Sequence, residues 1–315
     1  MAKYCVFGSS GFIGSYLVKQ LQEEGHEVIQ VGRKKKDVVN YYDWDGLTYL
    51  KLERLMDGVT GVVNLAYAST PKTSFDDPIA DIRDNLPSIV NFLEWMSFFS
   101  LDKIIMVSTG GAIYGNTNEN PISEKAATNP ISPYGITKLA VEKYSSMYFT
   151  HKKLPIVIIR PGNAYGIGQK PFIGQGFIAT AAYSILERKR LKIFGKTGTV
   201  RDYIHVTDVA NGIVKALEYG QVGETYNLGT GKGVSTKYLI DLLSKISQKD
   251  GYEVPNIDYE SLRPFDVKRN VLNCKKLQQH TGWLPTTNIK EGIQEYWEHA
   301  LKTHRQKSLD RILWI

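Results

Sequence analysis

The sequence predicts an α/β fold: a doubly wound parallel sheet followed by a smaller, less regular lobe. Three observations carry this. Short apolar runs alternate with longer stretches of helical periodicity through the first half of the chain, the pattern of strands joined by crossover helices. A glycine-rich turn, Gly8-Ser9-Ser10-Gly11-Phe12-Ile13-Gly14, joins the first apolar run to the first helical stretch. Beyond about Arg160 the alternation gives way to glycines, prolines and longer loops. Such a segment belongs on the carboxyl edge of the sheet, where doubly wound folds bind ligands.

Each element has its own signal. Residues 3–8 read as a buried strand. Residues 12–24 follow as a helix, with Ile13, Leu17, Val18 and Leu21 on one stripe and Gly25 as the stop. Further strands are expected at 27–32, 61–66, 103–108 and 155–160, and helices at 78–99 and 134–149. Residues 1–163, with a return segment at about 203–230, form the expected nucleotide-binding part. Residues 164–202 and 231–315 form the lobe.

Composition narrows the classes. The chain has 315 residues, 42% of them hydrophobic and 23% charged, the balance of a soluble globular protein. No apolar run approaches the ~20 residues of a membrane span, and the start shows no signal-peptide succession. Cys5 and Cys274 are the two cysteines. They make no disulfide framework and no metal spacing, and the histidines do not cluster, so a cytoplasmic protein without a metal site is expected. The formal charge of +7 is spread along the chain apart from Arg33-Lys34-Lys35-Lys36. No basic stripe interleaved with aromatics appears, which argues against nucleic acid as a partner.

The glycine turn is the first chemical motif. Its glycines permit a tight turn and close approach of a pyrophosphate to the helix N-terminus, whose N–H groups carry partial positive charge. A plain strand-to-helix turn would use the same residues, but the position between first strand and first helix favours dinucleotide binding. Gly8, Ser10, Gly11, Phe12, Ile13 and Gly14 are the candidates. An acid at the end of the second strand would bind the ribose of NAD, whereas arginine suits the phosphate of NADP. Here Gly32-Arg33-Lys34 stands there, so Arg33 leaves both NAD and NADP open. A solvated basic loop has the same composition. Asp43 and Asp45 are candidates for the adenine side.

Tyr134 and Lys138 are four residues apart within Ser132-Pro133-Tyr134-Gly135-Ile136-Thr137-Lys138. On a helix this places them on one face. A phenol is a weak base at neutral pH, and a neighbouring ammonium would lower its pKa. The pair then suits proton transfer to and from a hydroxyl.

Taken together, these motifs resemble the extended short-chain dehydrogenase/reductase family, over nearly the whole chain. The resemblance includes Asn64-Leu65-Ala66, Asn85, Val107-Ser108-Thr109-Gly110-Gly111-Ala112-Ile113-Tyr114-Gly115 and the Tyr134/Lys138 pair. It continues through Arg160-Pro161-Gly162-Asn163, Arg201-Asp202-Tyr203, Tyr226-Asn227-Leu228-Gly229 and Arg263-Pro264-Phe265-Asp266. The second half is most similar to UDP-galactose (UDP-glucose) 4-epimerases. The resemblance implies a Rossmann-like fold and a transient oxidation at C4 of a nucleotide sugar. Tyr134 would move the proton, with Lys138 tuning it. Leu65, Ala66 and Asn85 would line the cofactor site. Asn163 would contact the sugar or phosphate, Arg201 and Arg263 the diphosphate, and Asp266 the ribose or a structural partner. A homodimer formed through the helices at 78–99 and 134–149 is also implied.

The chain departs from the family at one place. A serine or threonine usually stands four residues before the tyrosine of the Tyr114-Gly115 pair, and here that residue is Gly110. Thr109, or Ser108, is expected to supply the hydroxyl. The position that sets pocket size in 4-epimerases falls at Asn270, which predicts room for N-acetylated sugars. Two other functions compete. One is an NADPH-dependent reductase of a nucleotide 4-keto-6-deoxysugar, favoured by Gly32-Arg33. The other is a non-catalytic dinucleotide-binding protein.

Overall fold

The computed structural model describes residues 1–33, 39–43, 49–195, 198–264 and 266–312. Its first six strands are β1 (Lys3–Phe7), β2 (Glu27–Gly32), β3 (Tyr41–Asp43), β4 (Gly61–Asn64), β5 (Lys103–Val107) and β6 (Ile156–Pro161). With a later strand, β10 (Thr225–Leu228), they build a parallel sheet in the order β3-β2-β1-β4-β5-β6-β10. Strand order reverses between β1 and β4, and that switch opens a crevice at the carboxyl ends of these strands. Gly8 and Leu65-Ala66 lie there.

Burial on both faces explains the unbroken apolar runs. Every residue of β4 and β6 is buried, as parallel strands covered by helices require. On β1 alternate side chains feed two cores: Tyr4 and Val6 face one, Cys5 and Phe7 the other. Helices α1 (Phe12–Glu23) and α7 (Val206–Tyr219) cover the first, burying Leu17, Leu21, Val209 and Ile213. Helices α2 (Tyr49–Leu55), α4 (Pro78–Met96) and α5 (Pro133–Lys152) cover the second with Leu52, Ile89, Leu93 and Val141. The short α3 (Pro71–Asp76) precedes α4.

The second half builds smaller sheets. Strand β9 (Val200–His205) pairs with β7 (Asn163–Tyr165), β11 (Gly233–Ser235) and β13 (Arg269–Asn270), while β8 (Leu191–Phe194) pairs with β12 (Ile257–Glu260). Helices α6 (Phe177–Leu186), α8 (Thr236–Gln248) and α10 (Ile289–Ile312) share a third core around Ile185, Leu243 and Trp297. Helix α9 (Lys275–Thr281) contributes Leu277 to the core under α7. The return to the main sheet therefore starts at Val206. The stretch from 203 to His205, expected with it, stays in β9 of the smaller sheet. Among the described residues no helix is long and apolar enough to cross a membrane.

Candidate active site

The glycine turn is closely packed. Gly8 has φ +81°, and a Cβ there would meet the backbone of Leu65 and Ala66 within 2.9 Å. Only glycine takes that conformation without strain and lets β1 and β4 end side by side. A Cβ on Gly11 would lie 3.1 Å from the Gly8 carbonyl, and one on Gly14 would collide with it. Gly11 caps α1 without any side-chain hydrogen bond, and the first turn holds no acid. The helix N-terminus thus keeps its N–H groups for an anion, and these residues fit a pyrophosphate. Ser10 and Phe12 flank the turn. Ile13 and Leu65 pack on the core under it.

At the end of β2, a side chain on Gly32 would run into the Tyr41 hydroxyl and Ser10 Oγ. A side chain there would require Tyr41 and Ser10 to move. Arg33 is exposed, Asp43 ends β3 half-buried, and Asp45 lies outside the described residues.

Ser132 caps α5 by accepting the Gly135 N–H at 3.1 Å, and Pro133 occupies the first turn. The Tyr134 N–H donates to Ser74 Oγ at 3.1 Å. These contacts set the start of the helix and so the direction of the Tyr134 ring. Tyr134 is half-buried. Burial pushes its pKa up to about 12, the Thr109 hydroxyl works against this, and the carboxylate of Asp81 adds to it. Lys138 is 5% exposed and donates to the Val107 carbonyl at 3.0 Å. Burial lowers its pKa to about 7, with Glu142 and Asp81 opposing the fall.

Burial is the largest influence on the Tyr134 phenol, and the neighbours that shift it are Thr109 and Asp81. Lys138 Nζ is 5.9 Å from the Tyr134 ring centre but 3.8 Å from that of Tyr67. The i,i+4 spacing brought the two side chains to one face, and Tyr67 packs against both. Tyr67 meets Tyr134 edge to face, with ring centres 5.3 Å apart.

Thr109 reaches the Tyr134 phenol. Ser108 Oγ is buried without a hydrogen bond, so of the two hydroxyls Thr109 is the one at the phenol. Gly110 leaves no space for a side chain: a Cβ would come within 2.9 Å of the Arg160 carbonyl and closer still to Leu272. A serine at Gly110 would collide with the Arg160 carbonyl, and Thr109 stands one residue upstream.

Asn85 is engaged inside the protein. Its Oδ1 accepts the Ala68 N–H at 2.6 Å, and its Nδ2 donates to the Asp81 carbonyl at 2.7 Å and to Ser69 Oγ at 3.0 Å. Both amide protons are spent inside the protein. Asn85 orders the loop after β4 rather than offering a cofactor a free donor. The Asp81 carboxylate, 1% exposed, accepts from Ser69 Oγ and from Thr137 Oγ1, the latter at 2.6 Å. Sequence reasoning missed Tyr67, Asp81 and Thr137. Asp81 could have been found as the residue one helical turn before Asn85.

The smaller sheet supplies the remaining candidates. Asn163 Oδ1 sits 3.1 Å from where a Cβ on Gly111 would be, so it borders the Thr109 loop. Arg201 is largely enclosed, and its pKa is lowered by burial. Asp202 does not pair with it; that carboxylate instead receives the N–H groups of Thr230, Gly231 and Leu272. Arg263 forks onto Asp266 at 2.8 and 2.7 Å and lies 4.3 Å from the centre of the Phe194 ring. Of the two roles expected for Asp266, the structural partnership is the one observed. Asn270 is buried on β13 and donates to the Gly110 carbonyl at 2.9 Å, while its Oδ1 has no partner.

Comparison with known proteins follows this geometry. The chain is 33% identical over 299 residues to a putative UDP-glucose 4-epimerase of Methanocaldococcus jannaschii, covering 92% of this chain and 95% of that one. It is similar in structure to the UDP-glucose 4-epimerase of Thermotoga maritima solved with UDP-glucose, with a TM-score of 0.86 at 32% identity over 96% and 99% of the two chains. The Thermus thermophilus UDP-glucose 4-epimerase in complex with NAD gives 0.85 at 31% identity over 95% and 99%. Residues 4–229 match the family described as NAD dependent epimerase/dehydratase. With its glycine cradle, its seven-stranded sheet and full-length relatives, this chain belongs to the NAD dependent epimerase/dehydratase family.

Proposed function

We propose that this protein is an NAD-dependent 4-epimerase of a UDP-hexose or UDP-N-acetylhexosamine, working through a transient 4-keto sugar. The observation that carries the reading is the half-buried Tyr134 phenol with the Thr109 hydroxyl beside it, in a chain that aligns over more than nine-tenths of its length with UDP-glucose 4-epimerases. Bound NAD supplies the acceptor and donor of the C4 hydride. Tyr134 takes the proton of the C4 hydroxyl and later returns one. Thr109 holds that hydroxyl in line. Arg201 and Arg263 receive the diphosphate with always-charged donors, which keeps the nucleotide fixed while the sugar turns. Asn163 borders the sugar. The free cysteines, Cys5 and Cys274, fit a cytoplasmic setting.

The test is interconversion of UDP-glucose and UDP-galactose by the purified protein with no net consumption of cofactor. Stoichiometric use of NADPH with a nucleotide 4-keto sugar would instead establish a reductase. Gly32-Arg33 favours that second reading, since no acid stands at the end of β2. Neither activity, with dinucleotide bound, would leave a binding protein. Asn270 makes a further point testable in the same assay. UDP-N-acetylglucosamine is turned over alongside UDP-glucose, and Asn270→Tyr lowers its kcat/KM relative to UDP-glucose by roughly tenfold or more.

We also propose a homodimer. Helices α4 and α5 pack against each other and leave Ile82, Ile136, Tyr144 and Met147 exposed. Two such faces brought together bury apolar surface that a monomer would leave in water. Light scattering should give a dimer for the native chain and a monomer for Ile136→Asp. A native monomer would refute the proposal.

A further inference from the structure

We propose that Tyr67 is a positioning residue of the proton-transfer site, its ring face holding the Lys138 ammonium in place beside Tyr134. The proposal rests on the reading of Tyr134 and Lys138 as the proton-moving pair.

Lys138 presents an ammonium with three donors and is buried. One of them reaches the Val107 carbonyl. The Tyr67 ring lies 3.8 Å from Nζ, well inside the ~6 Å over which an aromatic face attracts a cation. The Tyr134 ring, at 5.9 Å, is at that limit. Tyr67 therefore makes the closer aromatic contact, and it also braces the Tyr134 ring edge to face. One side chain thus sets the spacing of both members of the pair.

The other end of Tyr67 is fixed as well. Its hydroxyl is buried beside Ser69 and Thr137 but completes no well-formed hydrogen bond, while those two hydroxyls donate to Asp81. Burial first, and then the nearby Asp81 carboxylate, drive its pKa far above that of an ordinary phenol. Tyr67 remains neutral across the working range, and the ring rather than the oxygen acts on Lys138. The groups facing Lys138 are Tyr67 from the loop after β4, Asp81 from α4, the Val107 carbonyl from β5, and Tyr134 and Glu142 on α5. Burial works against the ammonium, while both carboxylates and the ring work for it.

The test is titration of Lys138 by heteronuclear NMR of isotope-labelled lysine side chains in the full chain. The resonance is assigned by its loss in Lys138→Met. Tyr67→Phe keeps the ring and titrates at the wild-type pH. Tyr67→Leu and Tyr67→Met remove it, and Lys138 loses its proton about one pH unit lower. In the same two variants the alkaline limb of the turnover profile moves down by the same amount. If Tyr67→Leu does not fold, Tyr67→Met decides. Wild-type titration in the ringless variants overturns the proposal, and so does a Tyr67→Phe shift equal to theirs. The titration involves no sugar nucleotide, so its outcome stands apart from the epimerase assay.

Discussion

Tyr134→Phe lowers kcat about a thousandfold, the scale of a lost general acid–base group, and changes KM little. The ring remains, with its edge-to-face contact on Tyr67, so the pocket keeps its shape. The hydroxyl alone is lost. A phenol held near pKa 12 by burial keeps its proton at neutral pH. It becomes a base only when positive charge is bound close by, and a hydrogen bond from the Thr109 hydroxyl favours the phenolate. Thr109→Ala therefore costs roughly ten- to a hundredfold, the worth of one hydrogen bond to a developing charge. No other residue takes over, because Gly110 has no side chain and Ser108 Oγ is buried away from a partner. Full turnover of Thr109→Ala with normal substrate binding would remove Thr109 from the mechanism.

Glu142→Ala destabilises the protein by about 3–5 kcal/mol, the cost of leaving one partner of a buried ion pair alone. Glu142 and Arg160 are 6% and 7% exposed and join α5 to β6 through two hydrogen bonds of 2.9 and 2.6 Å. The Arg160 guanidinium also donates to the Tyr114 hydroxyl, which donates in turn to Asn227 on β10. Without Glu142, a charge that cannot be neutralised sits under the helix that carries Tyr134. Chemical denaturation of both proteins measures the loss. The double replacement Glu142→Leu, Arg160→Met is expected to recover most of it, since no charge is then stranded. A loss below about 1 kcal/mol for Glu142→Ala would show that water reaches the site.

Much of the fold was legible because parallel strands and their helices write locally. The runs at β1, β2, β4, β5 and β6 are apolar for burial on both faces, and α1 carries its stripe. Strands β3 and β10 were not legible as strands. They are three and four residues long, and β10 pairs with β6 only after the chain has built part of the smaller sheet. Pairing over such a distance leaves no periodic signal. The candidate site divides in the same way. The glycine turn and the Tyr134/Lys138 spacing are local facts. The place of Tyr67 against that pair, and the use of Asn85 on the loop after β4, arise from elements brought together only in three dimensions. Proximity could be read from i,i+4 spacing, whereas the electrostatics of Tyr134 depend on which neighbours enclose it.

The hydrogen bond from Asn270 to the Gly110 carbonyl holds the peptide beside Thr109. If Asn270 sets the sugar pocket as proposed, sugar selectivity is tied to catalytic speed, and tailoring position 270 for a bulkier or smaller donor will perturb the rate with every donor. Directed evolution of substrate range would have to restore that tether from elsewhere. A second-site change in the 108–112 loop is where such compensation should surface.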